Sequence, residues 1–285
     1  MDPRPDQAAG LRRMLARTNM RVLPLASVLE RSAQARLAVH LAAALSSLGN
    51  RVVIVDASRG DVAAALGLRP RYELLHLLQG EKEFGEVVLD GPDALRIVPA
   101  ARGIVSMEHA EDTGWTELFG AFTNLTDAPD VVLLNCMPGN AHAACRAVSS
   151  PTCGAHEVVL ALDTSAESVT AAYTLIKAAL RADGQRRYRL LFADTPADFD
   201  VAGLAGRMVD AAHRFLGAEL REGGTLPRHA ALQSAFHPPT RRTLVSSDPA
   251  HPAAAAFLSL AGASAGWGLP EFSRPAPIQR PRATV

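Results

Sequence analysis

The sequence of 285 residues is almost without lysine: of its 29 basic residues only Lys82 and Lys177 carry an ammonium group. Cysteine is nearly as scarce. Cys136, Cys145 and Cys153 are too few and too oddly counted for a disulfide framework, which points to reduced thiols. No apolar run approaches the ~18 residues of a membrane-spanning helix, and the opening Met-Asp-Pro-Arg-Pro-Asp has no apolar core of a secretory signal. Neither sign of charge is in excess, with 29 basic against 29 acidic residues, so no global field draws nucleic acid or an anionic bilayer. The Arg186-Arg187 and Arg241-Arg242 pairs are isolated and read as solvated faces, so no nucleic-acid partner is expected. What is present, 48% apolar and 20% charged residues, is the composition of a globular protein able to bury roughly three quarters of its unfolded surface. The expected location is the cytoplasm.

The pattern along the chain alternates strand and helix. RVLPLAS (21–27) reads as a buried strand, followed by a helical stretch over 31–48 closed by Gly49-Asn50. RVVIVDAS (51–58) is a β-branched run of the kind buried on both faces of a parallel sheet. Further strands are expected at 95–99, 130–135, 157–163 and 187–194, with helices near 115–125, from 141, over 165–182 and over 198–216. Such alternation predicts an α/β fold, a mostly parallel open sheet flanked by helices on both faces. The expected organisation is a short amphipathic helix within 1–20, one α/β domain over 21–262, and a proline-rich, disordered tail over 263–285.

In an open parallel sheet, ligands gather at the carboxyl ends of the strands, most often where the first strand turns into its helix. Here that turn is SVLERSAQAR, 27–36. A phosphate-binding loop needs glycines so that backbone N–H groups can approach the anion, a lysine for the β- and γ-phosphates, and a Ser/Thr hydroxyl for magnesium. This turn has no glycine, no lysine and no threonine.

The residues around it nevertheless resemble the MinD/ParA family of deviant Walker ATPases, a P-loop NTPase fold, and in particular its FlhG branch. The resemblance covers roughly residues 1 to 262. The family's loop SGKGGVGKTT, with a helix ending in NLA behind it, is matched in length by SVLERSAQAR and the HLA at 40–42. The family's signature lysine falls on Leu29, its phosphate lysine on Gln34 and its magnesium-binding Thr on Ala35. Its glycines fall on Val28, Glu30, Arg31 and Ala33. Its D-A-D reads Asp56-Ala57-Ser58, and the acid ending a later strand is Asn135 in VVLLNCMPG. The resemblance therefore implies a degenerate nucleotide site, with no catalytic residue of its own and neither ATP nor magnesium as a working cofactor. An anion held by Arg31 or Arg36 at the helix N-terminus is the competing reading of the same turn.

The N-terminal segment carries a second resemblance. FlhG-type proteins begin with D-Q-A-x-x-L-R, and the chain reads Asp6-Gln7-Ala8-Ala9-Gly10-Leu11-Arg12. In the family this segment binds FlhF, a signal-recognition-particle-type GTPase, and stimulates GTP hydrolysis. The resemblance implies that Ala8 and Leu11 anchor the helix on the partner, that Gln7 orients the attacking water, and that Asp6 and Arg12 serve docking or charge roles. It further implies a regulator of flagellar number and placement, with flagellar switch-complex proteins or a flagellar transcriptional regulator as other partners, and a polar or membrane-peripheral position through partners. MinD-like proteins dock on membranes with a terminal amphipathic helix; the proline-rich tail cannot form one, so membrane cycling is not carried over. The rival readings are a functioning ATP-binding switch with an altered loop, or a pseudo-ATPase scaffold for another localisation or secretion system.

Cys136, His142, Cys145, Cys153 and His156 fall close together but lack the paired spacing of a zinc site, so no metal is expected. No G-x-S-x-G elbow supports a serine hydrolase.

Overall fold

The computed structural model of the chain describes residues 20–109, 113–123, 125, 127–137, 141–149, 157–185, 187–234 and 242–267. Eight strands form one sheet: β1 (Arg21–Ser27), β2 (Val52–Asp56), β3 (Leu89–Asp90), β4 (Arg96–Pro99), β5 (Val131–Cys136), β6 (Val158–Leu162), β7 (Arg187–Thr195) and β8 (Glu219–Pro227). Their order is β3-β4-β2-β5-β1-β6-β7-β8. Only the two-residue β3 runs antiparallel to its neighbour; the other pairings are parallel.

Because both faces of a parallel sheet are covered by crossover helices, the central strands bury every residue: β2, β5 and β6 have no exposed position. The helices follow in chain order as α1 (Arg31–Ser47), α2 (Asp61–Ala65), α3 (Leu74–Leu78), α4 (Phe84–Val87), α5 (Ala101–His109), α6 (Thr113–Thr123), α7 (Ala141–Ser149), α8 (Ala166–Asp183), α9 (Val201–Leu216), α10 (Leu244–Ser247) and α11 (Pro252–Ser264). Alternate residues of each strand point to opposite faces. Leu23, Leu25, Val52 and Ile54 pack with α1, α2, α10 and α11. Val22, Ala26, Val53 and Val55 pack with α5 to α9. Helix α1 is buried on nearly every side, from Gln34 to Leu45. It is wedged between the sheet, α2 and α11, which fixes the direction in which its first turn points.

The expected strands and long helices are present within three residues of their sequence limits. The sequence reading passed over β8 and α11. Strand β8 reads ELREGGTLP, with no apolar run to mark it. Its two glycines are structural: Gly223 is an extra residue between Glu222, opposite Leu190, and Gly224, opposite Leu191, and a Cβ on Gly223 would lie 2.7 Å from the Leu190 carbonyl oxygen. Gly224 has φ +142, a conformation side chains disfavour. Helix α11 runs to Ser264, two residues beyond the boundary expected at 262. Its end is tied back to the start of β1, where Arg21 Nη1 donates to the Ser264 carbonyl at 2.6 Å.

Candidate functional site

The register of the central strands brings the site together. Asn135 near the end of β5 lies opposite Leu25 of β1 on one side and Asp56 of β2 on the other. The β1–α1 connection runs directly above them. After β1 the Val28 N–H donates to the Ala161 carbonyl at 3.0 Å and the Leu29 N–H to Ser27 Oγ at 3.0 Å. Leu29 is 5% exposed and packs in the layer beneath α1, and Ala35 is buried in the same layer.

Glu30 is the N-cap of α1, with extended backbone. A helix leaves its first N–H groups without intrahelical acceptors and carries partial positive charge there. The Glu30 carboxylate fills that position, accepting from the Ser32 N–H at 3.0 Å, the Ala33 N–H at 3.2 Å and the Ser32 hydroxyl. The hydrogen bonds from Ser32, first among the causes, hold its carboxyl below the usual carboxylate range. Arg31 turns to α2, where its Nε and Nη2 donate to the two carboxylate oxygens of Asp61 at 2.9 and 2.8 Å. Arg36 Nη1 donates to Ser32 Oγ at 2.8 Å. In the first turn the Ser32 and Ala33 N–H groups are thus engaged by Glu30, the Arg31 guanidinium by Asp61 and one Arg36 nitrogen by Ser32.

Below this turn runs a buried polar chain. Gln34 Nε2 donates to Asn135 Oδ1 at 2.6 Å, and Asn135 Nδ2 donates to Asp56 Oδ1 at 2.9 Å. Asp56 also accepts from the Ser58 N–H at 3.1 Å and the Val62 N–H at 3.3 Å. Ser58 Oγ in turn accepts from the Asp61 N–H at 2.9 Å, closing the path back to Arg31. Gln34, Asn135, Asp56 and Ser58 are each 2% exposed or less. Gln34 Oε1 has no hydrogen-bond partner among the described residues.

Burial pushes the Asp56 carboxyl above its ordinary value of 3.8, against the opposing effect of hydrogen bonds from Ser58, Asn135 and Val62. A carboxyl with a raised folded-state pKa binds its proton more tightly in the folded than in the unfolded chain. Its contribution is complete below about 3.8 and is lost as pH rises through the folded-state pKa. The Asp56→Asn chain, which cannot titrate there, is thus expected to gain stability relative to the parent as pH is raised from acid to neutral. Urea unfolding of both chains across that range checks this; a difference that stays flat or shrinks with pH would refute it.

Of the residues singled out in the sequence, the structure gathers Glu30, Arg31, Gln34, Asp56, Ser58 and Asn135 at one corner, and turns Leu29 and Ala35 into the core. Asp6, Gln7, Ala8, Leu11 and Arg12 lie outside the described residues. Sequence reasoning missed Asp61. Its only signal was an acid at the start of a helix just after Gly60. Among the described residues, no group of three or more His, Cys, Asp or Glu is arranged to hold a metal ion, and no helix is long and apolar enough to cross a membrane.

Comparison with known proteins places this corner in context. No family model matches the sequence. The chain is 32% identical over 238 residues to the antiactivator FleN of Pseudomonas aeruginosa, covering 83% of each protein. It is 30% identical over 239 residues to the chromosome-partitioning ATPase Soj of Thermus thermophilus, covering 79% of this chain and 87% of Soj. Its fold matches the MinD cell division protein of Aquifex aeolicus with a TM-score of 0.58 at 19% identity, over 88% of this chain and 98% of that one. A sheet with MinD-like architecture, joined to a sequence match along most of FleN, means that the chain belongs to the FlhG (FleN) branch of the MinD/ParA family.

Proposed function

We propose that the chain is an FlhG-like regulator of flagellar number and placement: a MinD-like scaffold that has lost ATP hydrolysis and acts through its N-terminal segment on an FlhF-type GTPase. The observation that carries the loss of hydrolysis is the Glu30 carboxylate seated on the first turn of α1, where the family's loop would cradle phosphate. The other positions agree with it. Gln34 is turned inward onto Asn135, Ala35 offers no oxygen, and Asp56 is committed to three donors. These residues do not fit a nucleoside triphosphate with its magnesium, which requires loop N–H groups, a lysine and oxygen ligands for the ion.

The activator role is supported by the intact D-Q-A-x-x-L-R of Asp6 to Arg12. In this reading residues 1–20 form the activator, with Ala8 and Leu11 as helix anchors, Gln7 orienting the water that attacks GTP, and Asp6 and Arg12 in docking or charge roles. Residues 21–262 are the scaffold and 263–285 a proline-rich tail. The relation to a protein named an antiactivator supports a second contact, with a transcriptional regulator of flagellar genes.

The test is GTP hydrolysis by the cognate FlhF-type protein, alone and with this chain. The intact chain is expected to accelerate hydrolysis, by about 10²-fold or more if Gln7 positions the water. Gln7→Ala and a chain lacking residues 1–20 are expected to leave the basal rate. Equal acceleration by both variants would remove the N-terminal segment from the mechanism.

A further inference from the structure

We infer that the groove along α8 holds the chain's own N-terminal segment, residues 6–17, and keeps it from a partner until the partner draws it out; the regulatory half of this inference rests on the activator role proposed above. The inward face of α8 is fully used, with Ala172, Ile176 and Ala179 buried against the sheet. Its outer side borders an open groove of about 950 Å³ lined by Thr170, Ala171, Thr174, Ala178 and Ala182, with Val28 at one end. The two threonines add little polarity. Thr170 Oγ1 donates to the Ala166 carbonyl at 2.8 Å and Thr174 Oγ1 to the Thr170 carbonyl at 3.0 Å. With their hydroxyls bonded to the helix's own backbone, the groove is a strip of small apolar groups suited to an apolar helix face.

Position and length identify the occupant. The Val28 N–H donates to the Ala161 carbonyl in β6, so Val28 marks the end of the groove where α8 begins. As the return between the parallel strands β6 and β7, α8 runs opposite to them, which brings Ala182 to the level where β1 starts. There Met20 packs on the same layer as Ala172 and Ile176, so the residues ahead of it meet the groove at its foot. Residues 6–17 carry Ala8, Leu11, Met14 and Leu15 at helical spacing. As a helix they span about 18 Å, against about 24 Å from Ala166 to Ala182. Only Thr18 and Asn19 separate them from Met20, so the contact is intramolecular, at an effective concentration of about millimolar, and needs little intrinsic affinity. The charges agree. Among the described residues lining the groove Glu167 alone is charged, near the Val28 end, and a chain running up the groove from Met20 reaches that level with Arg4. Lys177 and Arg181 are exposed, but they stand about 100° and 60° round α8 from Ala178. That is the flank where the Tyr173 hydroxyl donates to the Met208 carbonyl of α9 at 3.1 Å, outside the groove. On the segment, Arg12, Arg13 and Arg17 stand about 100° or more from Leu11 and keep to water.

The experiment is hydrogen–deuterium exchange of the full chain, read on residues 6–17 at two protein concentrations, with circular dichroism melting to show that each variant is folded. The parent chain is expected to protect these amides at least about tenfold relative to the Leu11→Arg chain. Ala178→Arg, in the middle of the groove, is expected to lose the protection as fully as Leu11→Arg. Glu167→Arg and Arg4→Glu are each expected to reduce it, and the chain carrying both to restore it, which loss of an acid from the first turn of α8 would not do. Parent exchange as fast as that of Leu11→Arg would overturn the proposal, as would protection that Ala178→Arg leaves intact or a double variant that restores nothing. Protection that grows with protein concentration would give the groove to a second copy and overturn it as well. GTP hydrolysis by the FlhF-type protein tests the regulatory half. At a subsaturating concentration the Ala178→Arg chain, its segment released, is expected to stimulate at least about threefold more than the parent; equal stimulation would overturn the holding role. If neither chain stimulates, the activator reading fails and the holding role with it, while exchange still decides whether the segment fills the groove.

Discussion

Replacing Asn135 with leucine is expected to cost about 3–5 kcal/mol of stability, because it leaves two buried polar groups short of a partner at about 1–3 kcal/mol each, more for a charged one. Asn135 links Gln34 to Asp56 in the buried chain, accepting from Gln34 at 2.6 Å and donating to Asp56 at 2.9 Å. Leucine is of similar size, so little of the cost comes from a cavity. It comes from leaving a carboxylate and an amide without those hydrogen bonds in a place water does not reach. For a large domain, each kcal/mol lowers the melting temperature by about 2–4 °C, so calorimetry would register a drop on the order of 10 °C. Asn135→Asp supplies the contrast. It sets a second buried carboxyl against Asp56, and two such groups ionise together only at high cost. Its destabilisation is expected to be large at neutral pH and to ease as the pH falls and the pair shares a proton. A variant no less stable than the parent in either case would mean that the chain of hydrogen bonds is incidental.

Titration with ATP and magnesium is expected to give no saturable binding, and hydrolysis no faster than the buffer blank. Loss of a single preorganised charge-stabilising group typically costs about 10²–10³ in rate. Here the family's two lysine positions are Leu29 and Gln34, and its magnesium-binding hydroxyl is Ala35. The Glu30 carboxylate adds repulsion to absence, since its negative charge rests on the N–H groups a phosphate would use. Isothermal titration together with a phosphate-release assay decides the matter. Saturable binding, with turnover abolished by Asp56→Ala, would make the chain a working switch with an altered loop.

The frame of the molecule was legible in the sequence because a strand buried on both faces has no polar alternation to obscure it. RVLPLAS, VVIVD and VVLLNC announce themselves by continuous apolar and β-branched residues. Strand β8 carries Glu219, Arg221, Glu222 and two glycines at the sheet edge, and is a strand only because β7 lies beside it. The same division runs through the site. That the turn after β1 holds no glycine and no lysine could be read from ten consecutive residues. The destinations of its side chains could not. Gln34 turns inward because Asn135, 101 residues away, presents its amide oxygen there. Arg31 turns outward because α2 begins with Asp61. Both partners are set by the register of β1, β2 and β5 rather than by local preference.

The bond from the Arg21 guanidinium to the last carbonyl of α11 has a practical corollary. It joins the first residue of the first strand to the last residue of the last helix, so the segments preceding 21 and following 264 leave the folded body from one spot. On the activator role proposed above, a fluorophore attached just after Ser264 would therefore report on a GTPase gripping the opening residues. A bulky fusion at that same end would stand in the GTPase's way, so activity assays on this chain call for a label placed on the far side of the sheet.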